Sequence, residues 1–131
     1  MATPPFADFN FSQAPRFYQV KFSGAPHSPD EFSTFLANFD KMYAPQKEFA
    51  VLFDARLVEW IGVSNFMELL GYTKHHEELA KLYMQKTAVL VTSPYIQSLI
   101  EKLLVLQPPA NPTKFFTDKK AALRWLFNVP E

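Results

Sequence analysis

The sequence predicts an α/β fold: a mixed, mostly parallel sheet entered through an N-terminal hairpin and accompanied by about four helices. Three observations predict it. Two early segments alternate apolar and polar residues, two later ones are short and continuously apolar, and each of the later two is followed by apolar residues at helical spacing. A single domain over residues 1–131 is expected, with residues 1–5 as a flexible arm.

Phe9 and Phe11 alternate with Asp8, Asn10 and Ser12. After the turn signal SQAP, Tyr18, Val20 and Phe22 alternate with Gln19 and Lys21. A period of two on both sides of a turn predicts an antiparallel hairpin with one wet face. The run Ser28-Pro29-Asp30-Glu31 then supplies an N-cap, a Pro at the first helical position and a Glu at the third, which together form a capping box. The helix it starts carries Phe32, Phe35, Leu36, Phe39, Met42 and Tyr43 on one face.

Residues 49–53 and 88–91 are unbroken apolar runs, as expected of parallel strands covered on both faces. After the first, Phe66, Leu69, Leu70, Tyr72, Leu79, Leu82 and Tyr83 predict one long helix with Gly71 as its weak middle. After the second, Ser93-Pro94 caps a helix bearing Ile96, Leu99, Ile100, Leu103 and Leu104. Prolines 108, 109 and 112 end it, residues 114–117 read as a last strand, and a final helix from Thr117 or Asp118 turns Ala122, Trp125 and Leu126 inward.

The apolar fraction of 48%, with 14 Phe, supplies a packed core and excludes a disordered chain. Thirteen basic residues balance thirteen acidic ones, so no field recruits nucleic acid. The chain has no Cys, which excludes disulfides, thiolate metal sites and Cys nucleophiles. No apolar run approaches the roughly 20 residues of a membrane span, and the start lacks a secretory pattern; a cytoplasmic, non-spanning protein is expected.

The order of elements, FSG closing the hairpin, VLFDAR on the first central strand, KTAVLVTSP leading into the next helix and NPTKFFTDKKAALRWL at the end together resemble the SpoIIAA-like branch of the STAS superfamily. The resemblance covers roughly residues 6 to 127. It implies a small domain that binds partners or ligands without turning over substrate. In the anti-sigma-factor antagonists of that superfamily, a Ser at the start of the helix after the VLFDAR-like strand is phosphorylated, with an Asp before it and small residues after it. Here the region reads WIGVSNFMELL: Ser64 is the nearby hydroxyl, the Asp is missing, and Phe66 and Met67 follow. The group is also likened to the CRAL-TRIO lipid-transfer fold, which implies an apolar small-molecule ligand as the alternative.

Ligands of open parallel sheets usually sit beyond the carboxyl ends of the strands. Asp54, Arg56 and Ser93 fall there, with Trp60 in the following loop. As a site, Arg56 and the helix N-terminus at Ser93 would hold an anionic group, and Trp60 would be an apolar anchor or lid. As structure, Asp54 and Arg56 would cap the loop and each other, and Ser93 would be an ordinary N-cap; this second account is favoured. His75 and His76 with Glu77 and Glu78 resemble a metal pair, but two ligands are no site, and solvated helix surface is expected. Neither His has an identified nucleophile, so a hydrolase-like enzyme is the remotest alternative.

The sequence therefore leads to a non-catalytic binding or regulatory module with no metal or cofactor. Its binding residues would be Asp54, Arg56, Trp60 and Ser93, and its candidate modification point Ser64. The expected partners are another protein and a second copy of the chain, with a carrier of a small apolar ligand as the rival. The Phe-rich surface and the edge strand motivate the homodimer.

Overall fold

The computed structural model describes residues 7–13, 16–23, 29–58 and 63–128, without the side chains of Pro29, Val63, Ser64, Asn65, Phe66 and Leu69. The arm at residues 1–5, the Ser28 cap and His27 lie outside the described residues. The elements are β1 (Ala7–Asn10), β2 (Phe17–Phe22), α1 (Pro29–Tyr43), β3 (Phe49–Asp54), α2 (Val63–His75), α3 (Glu77–Tyr83), β4 (Met84–Leu90), α4 (Pro94–Leu106), β5 (Thr113–Phe116) and α5 (Lys119–Leu126).

The strands form one sheet in the order β1-β2-β3-β4-β5. The pair β1–β2 is the antiparallel hairpin, and the remaining pairs are parallel. Every crossover advances the sheet by one strand in the same direction, which sends α1, α2, α3 and α4 to one face. The last helix, α5, folds back onto the other.

Strand alternation divides the core accordingly. On the four-helix face, Tyr18, Val20, Phe49 and Val51 pack against Phe32, Phe35, Phe39, Met42 and Tyr43 of α1. Val91 packs with Ile96 of α4 on the same side. On the opposite face, Ala50, Leu52, Ala88 and Leu90 meet Ala122 and Leu126 of α5. Alanines at 50, 88 and 122 let a short helix approach the sheet closely. The end of α5 is held by Lys86, whose Nζ donates to the Trp125 carbonyl at 2.9 Å and to Asn128 Oδ1 at 2.6 Å.

The sequence-based expectations need correction at several elements. The predicted long helix is two, so there are five helices, and the break falls at His76 rather than at Gly71. His76 N–H donates to the Tyr72 carbonyl and its own carbonyl accepts from Ala80 N–H, so the ladder continues, but the His76 backbone at φ −102° and ψ 15° leaves the helical region without a side-chain cap. Leu79 and Leu82, expected inward, are exposed, and α3 buries no residue. Strand β4 begins at Met84, four residues before the apolar run, because its first residues extend along β3. Strand β5 starts one residue earlier than expected, at Thr113, which pairs with Thr87. The hairpin is not wet along one whole face: Phe17 is buried against the α5 side.

Candidate functional site

Strand β3 leaves the sheet at Asp54, whose side chain alternation directs to the α5 face. Asp54 is 4% exposed. A carboxylate so enclosed must be paired, and Arg56 pairs it twice: Nε donates to Oδ1 at 2.9 Å and Nη2 to Oδ2 at 2.8 Å. The Arg56 backbone N–H adds a third bond to Oδ1 at 3.2 Å. Burial pushes the Asp54 pKa up, but the hydrogen bonds and charge of Arg56, helped by Lys21, outweigh it and hold the carboxyl below its ordinary value. The loop is sewn to its neighbour by Ala55 N–H donating to the Leu90 carbonyl at 2.8 Å and by Thr92 Oγ1 donating to the Arg56 carbonyl at 3.4 Å. Ser93 is the N-cap of α4, its Oγ accepting from Ile96 N–H at 3.3 Å.

Of the residues singled out from sequence, the fold thus brings Asp54 and Arg56 together and sets Ser93 at the end of the adjacent strand. Trp60 and the side chain of Ser64 lie outside the described residues; the Ser64 backbone is in the first turn of α2. The guanidinium edge formed by Nε and Nη2 is occupied by Asp54, so the charges of the pair offset each other.

A second location corresponds to the rival expectation of an apolar-ligand carrier, although sequence alone does not name its lining. A cavity of about 220 Å³ lies between the four-helix face of the sheet and the helices. Its apolar end, toward the carboxyl ends of the strands, is formed by Phe22, Phe53 and Val89 of the sheet and Ala55 just after β3, with Phe35 and Phe39 of α1 and Ile100 of α4. Its other end lies where α1 and α4 finish and β4 and β5 begin, and is lined by Tyr43, His76, Glu77, Gln107, Asn111 and Thr113. This end is polar. The half-exposed rim residues Tyr72, Thr73, His76 and Glu77 bring the cavity to the surface.

Within the polar end, buried Thr87 directs Oγ1 to Asn111 Oδ1 at 3.1 Å, and Thr113 Oγ1 donates to the Asn111 carbonyl at 3.3 Å. The wall nearest α1 is a stacked cluster. The rings of Tyr72 and His76 are 4.0 Å apart, and Tyr43 lies beyond them at 6.3 Å from His76. Tyr72 Oη donates to Asp40 Oδ1 at 2.7 Å, and His76 Nε2 is 2.9 Å from the same oxygen. Burial first, then the hydrogen bond and charge of Asp40, push the Tyr72 phenol well above its ordinary value; burial and Asp40 do the same to Tyr43.

His76 is therefore not the solvated surface residue expected from sequence: its side chain is 17% exposed and tied to α1. Its Nδ1 is 3.0 Å from the Tyr72 carbonyl, so both ring nitrogens face acceptor oxygens of the protein. Among the described residues, no group of three or more His, Cys, Asp or Glu converges on a point where a metal ion would sit. Nor is any described helix long and apolar enough to cross a membrane.

A family model described as a domain of unknown function, DUF7793, matches residues 72–129. A solved structure, described as an uncharacterized protein from the DUF3478 family with a SpoIIAA-like fold from Shewanella loihica PV-4, aligns with a TM-score of 0.67 over 96% of this chain and 98% of that chain. The two sequences are 17% identical. The fold is SpoIIAA-like. Among curated proteins, none matches the chain significantly. In this SpoIIAA-like frame the matched segment 72–129 begins at Tyr72 and carries most of the cavity lining, including His76, Thr87, Gln107 and Asn111, whereas Asp54 and Arg56 fall outside it. Sequence patterning overlooked Thr87, Gln107 and Asn111 because each looks like an isolated polar position in or beside an apolar segment, and it read His76 as helix surface. The one local signal was Thr87 at the head of the AVLV run, a hydroxyl where a doubly covered strand has no use for one.

Proposed function

We propose that this SpoIIAA-like chain is a non-catalytic binding module of STAS type that takes a small apolar ligand into the cavity beneath α1, α2, α3 and α4. The observation that carries this is the cavity itself, at about 220 Å³ with a predominantly apolar lining and a few convergent polar groups. It exceeds the roughly 150 Å³ that accommodates benzene in an engineered core. It lies below the roughly 300 Å³ at which drug-sized pockets begin. The occupant is accordingly the size of a fused-ring aromatic or a medium-length acyl chain. The engagement of both His76 nitrogens, and of Thr73 Oγ1 with the Leu70 carbonyl at 2.9 Å, supports binding rather than turnover.

Ala80 of α3 lines the cavity and is not part of the packed core. Filling the space from there with Ala80→Phe leaves the core layers in place. Naphthalene titrated into the native protein should show saturable one-to-one binding by calorimetry, and Ala80→Phe should weaken it at least about tenfold, as expected when volume rather than a single contact is removed. Absence of saturable binding to the native protein refutes the proposal.

A second reading, self-association, is favoured by the exposed apolar side chains of Leu82 in α3 and Val105 and Leu106 in α4, at 61%, 79% and 62% exposure. By topology these lie at the amino ends of β4 and β5, and solvated apolar side chains gathered at one end of a fold mark an interface. Native mass spectrometry of the wild type and of Leu82→Glu with Leu106→Glu tests it: a dimer that the double substitution dissociates supports this reading, and a wild-type monomer at micromolar concentration removes it.

A further inference from the structure

We infer that the cavity's ligand is a neutral amphiphile with one polar head, an uncharged hydrogen-bonding group held by the carboxamides of Gln107 and Asn111, with its apolar body laid along Phe53 and Val89. The inference rests on the cavity being a ligand site, as proposed above. Its basis is how the polar groups are distributed and which of them are already occupied.

The lining divides by position. Everything toward the carboxyl ends of the strands is hydrocarbon or aromatic, so no polar atom of a ligand would find a partner there. The carboxamides of the lining are both at the amino ends, where Gln107 closes α4 and Asn111 precedes β5, set among Met84, Leu103, Leu104 and Pro108. Both are half-buried. Asn111 uses Oδ1 to receive Thr87, and neither its Nδ2 group nor the Gln107 carboxamide has a partner among the described residues. A carboxamide offers a donor and an acceptor a few ångströms apart, which complements a hydroxyl, carbonyl or amide.

Charge narrows the class further. No described lining residue is Lys or Arg, so a carboxylate or phosphate head would leave water without a counter-ion. It would also face the Glu77 carboxylate on the rim. A cationic head fares no better. Glu77 already has Lys81 Nζ at 3.5 Å, and Asp40 behind the wall already receives Tyr72 and contacts His76. What the cavity leaves unused is neutral hydrogen-bonding capacity, and that selects an uncharged head.

The test holds the apolar body constant and varies the head. Octanamide, octanoate and octylamine are titrated by calorimetry at pH 7, where the acid and the amine are charged, alongside naphthalene as a headless probe. Octanamide should bind at least about tenfold more tightly than either charged analogue, because an unpaired charge costs more to bury than an amide that finds its bonds. Gln107→Leu, a change at a half-buried helix terminus, should weaken octanamide about tenfold relative to naphthalene. Octanoate or octylamine binding as tightly as octanamide overturns the head assignment, as does an unchanged octanamide affinity in Gln107→Leu. In both cases, retained naphthalene binding leaves the cavity reading standing. If neither naphthalene nor octanamide binds, both inferences fall together.

Discussion

Asp54 and Arg56 are paired with each other at the end of β3. The carboxylate is at the end of an apolar strand where backbone groups and side chain alike must be satisfied, and Arg56 satisfies it from two residues away. Arg56→Ala would leave a buried acceptor without its donors, at a cost of about 1–3 kcal/mol. The guanidinium is itself 38% exposed, and solvent screening places the expected loss in the lower half of that range. Urea denaturation of the two proteins measures it. The pH dependence has a definite sign. The folded pKa of Asp54 is lowered from its ordinary 3.8, so the ionised carboxylate stabilises the fold fully above that value, and the contribution is lost as pH falls through the lower folded pKa. The stability gap between wild type and Asp54→Asn should therefore shrink as the pH drops below about 3.8. A gap that stays constant down to the acid transition would show that Asp54 acts through shape and not through charge.

The helical segment between β3 and β4 shows where patterning and packing part company. Gly71 is the weak point by propensity, yet α2 runs through it to His75. A Cβ built on Gly71 meets no heavy atom within 4 Å. Gly71→Ala should accordingly raise stability by about 0.5–1 kcal/mol through the unfolded chain's lost freedom alone. A rise in melting temperature with unchanged naphthalene affinity is the expected result; a fall would show that α2 needs a flexible centre. The break falls at His76, whose ring stacks on Tyr72 of α2 and contacts Asp40 of α1. The turn lays α3 over the cavity without burying a residue of its own. A helix held so lightly is a suitable cover for a site that a ligand must enter.

For the whole molecule, the two faces of the sheet do different work. On one, α5 meets alanines and leucines closely and the lysine at position 86 fixes its end. On the other, four helices span the sheet and leave the cavity between them. An occupant that binds the folded state alone must stabilise it by mass action, about 2.7 kcal/mol at a free concentration one hundred times its Kd. Thermal unfolding of the wild type in saturating naphthalene should shift upward by the corresponding few degrees, while Ala80→Phe should show little shift. Equal shifts in both proteins would place the binding elsewhere on the molecule.

Much of this architecture was legible in the chain. The hairpin follows from Phe9, Val20 and Phe22 on alternating positions, the α1 face from its Phe ladder, the α4 start from Ser93-Pro94, and the buried strands from their unbroken apolar runs. Each is a local signal, written in a period of two or 3.6 residues or in a cap, and local signals survive without knowledge of neighbours. Although an apolar ligand was an alternative, the place and lining of the cavity were not legible. Its wall draws Phe53 and Val89 from the sheet, His76 from a helix break and Gln107 and Asn111 from the ends of a loop. Apolar periodicity cannot distinguish a stripe that fills space from one that borders it. The chain by itself determined which residues turn inward; only the tertiary structure decided where those residues fall short of meeting, because a void belongs to the distance between elements and to none of their sequences.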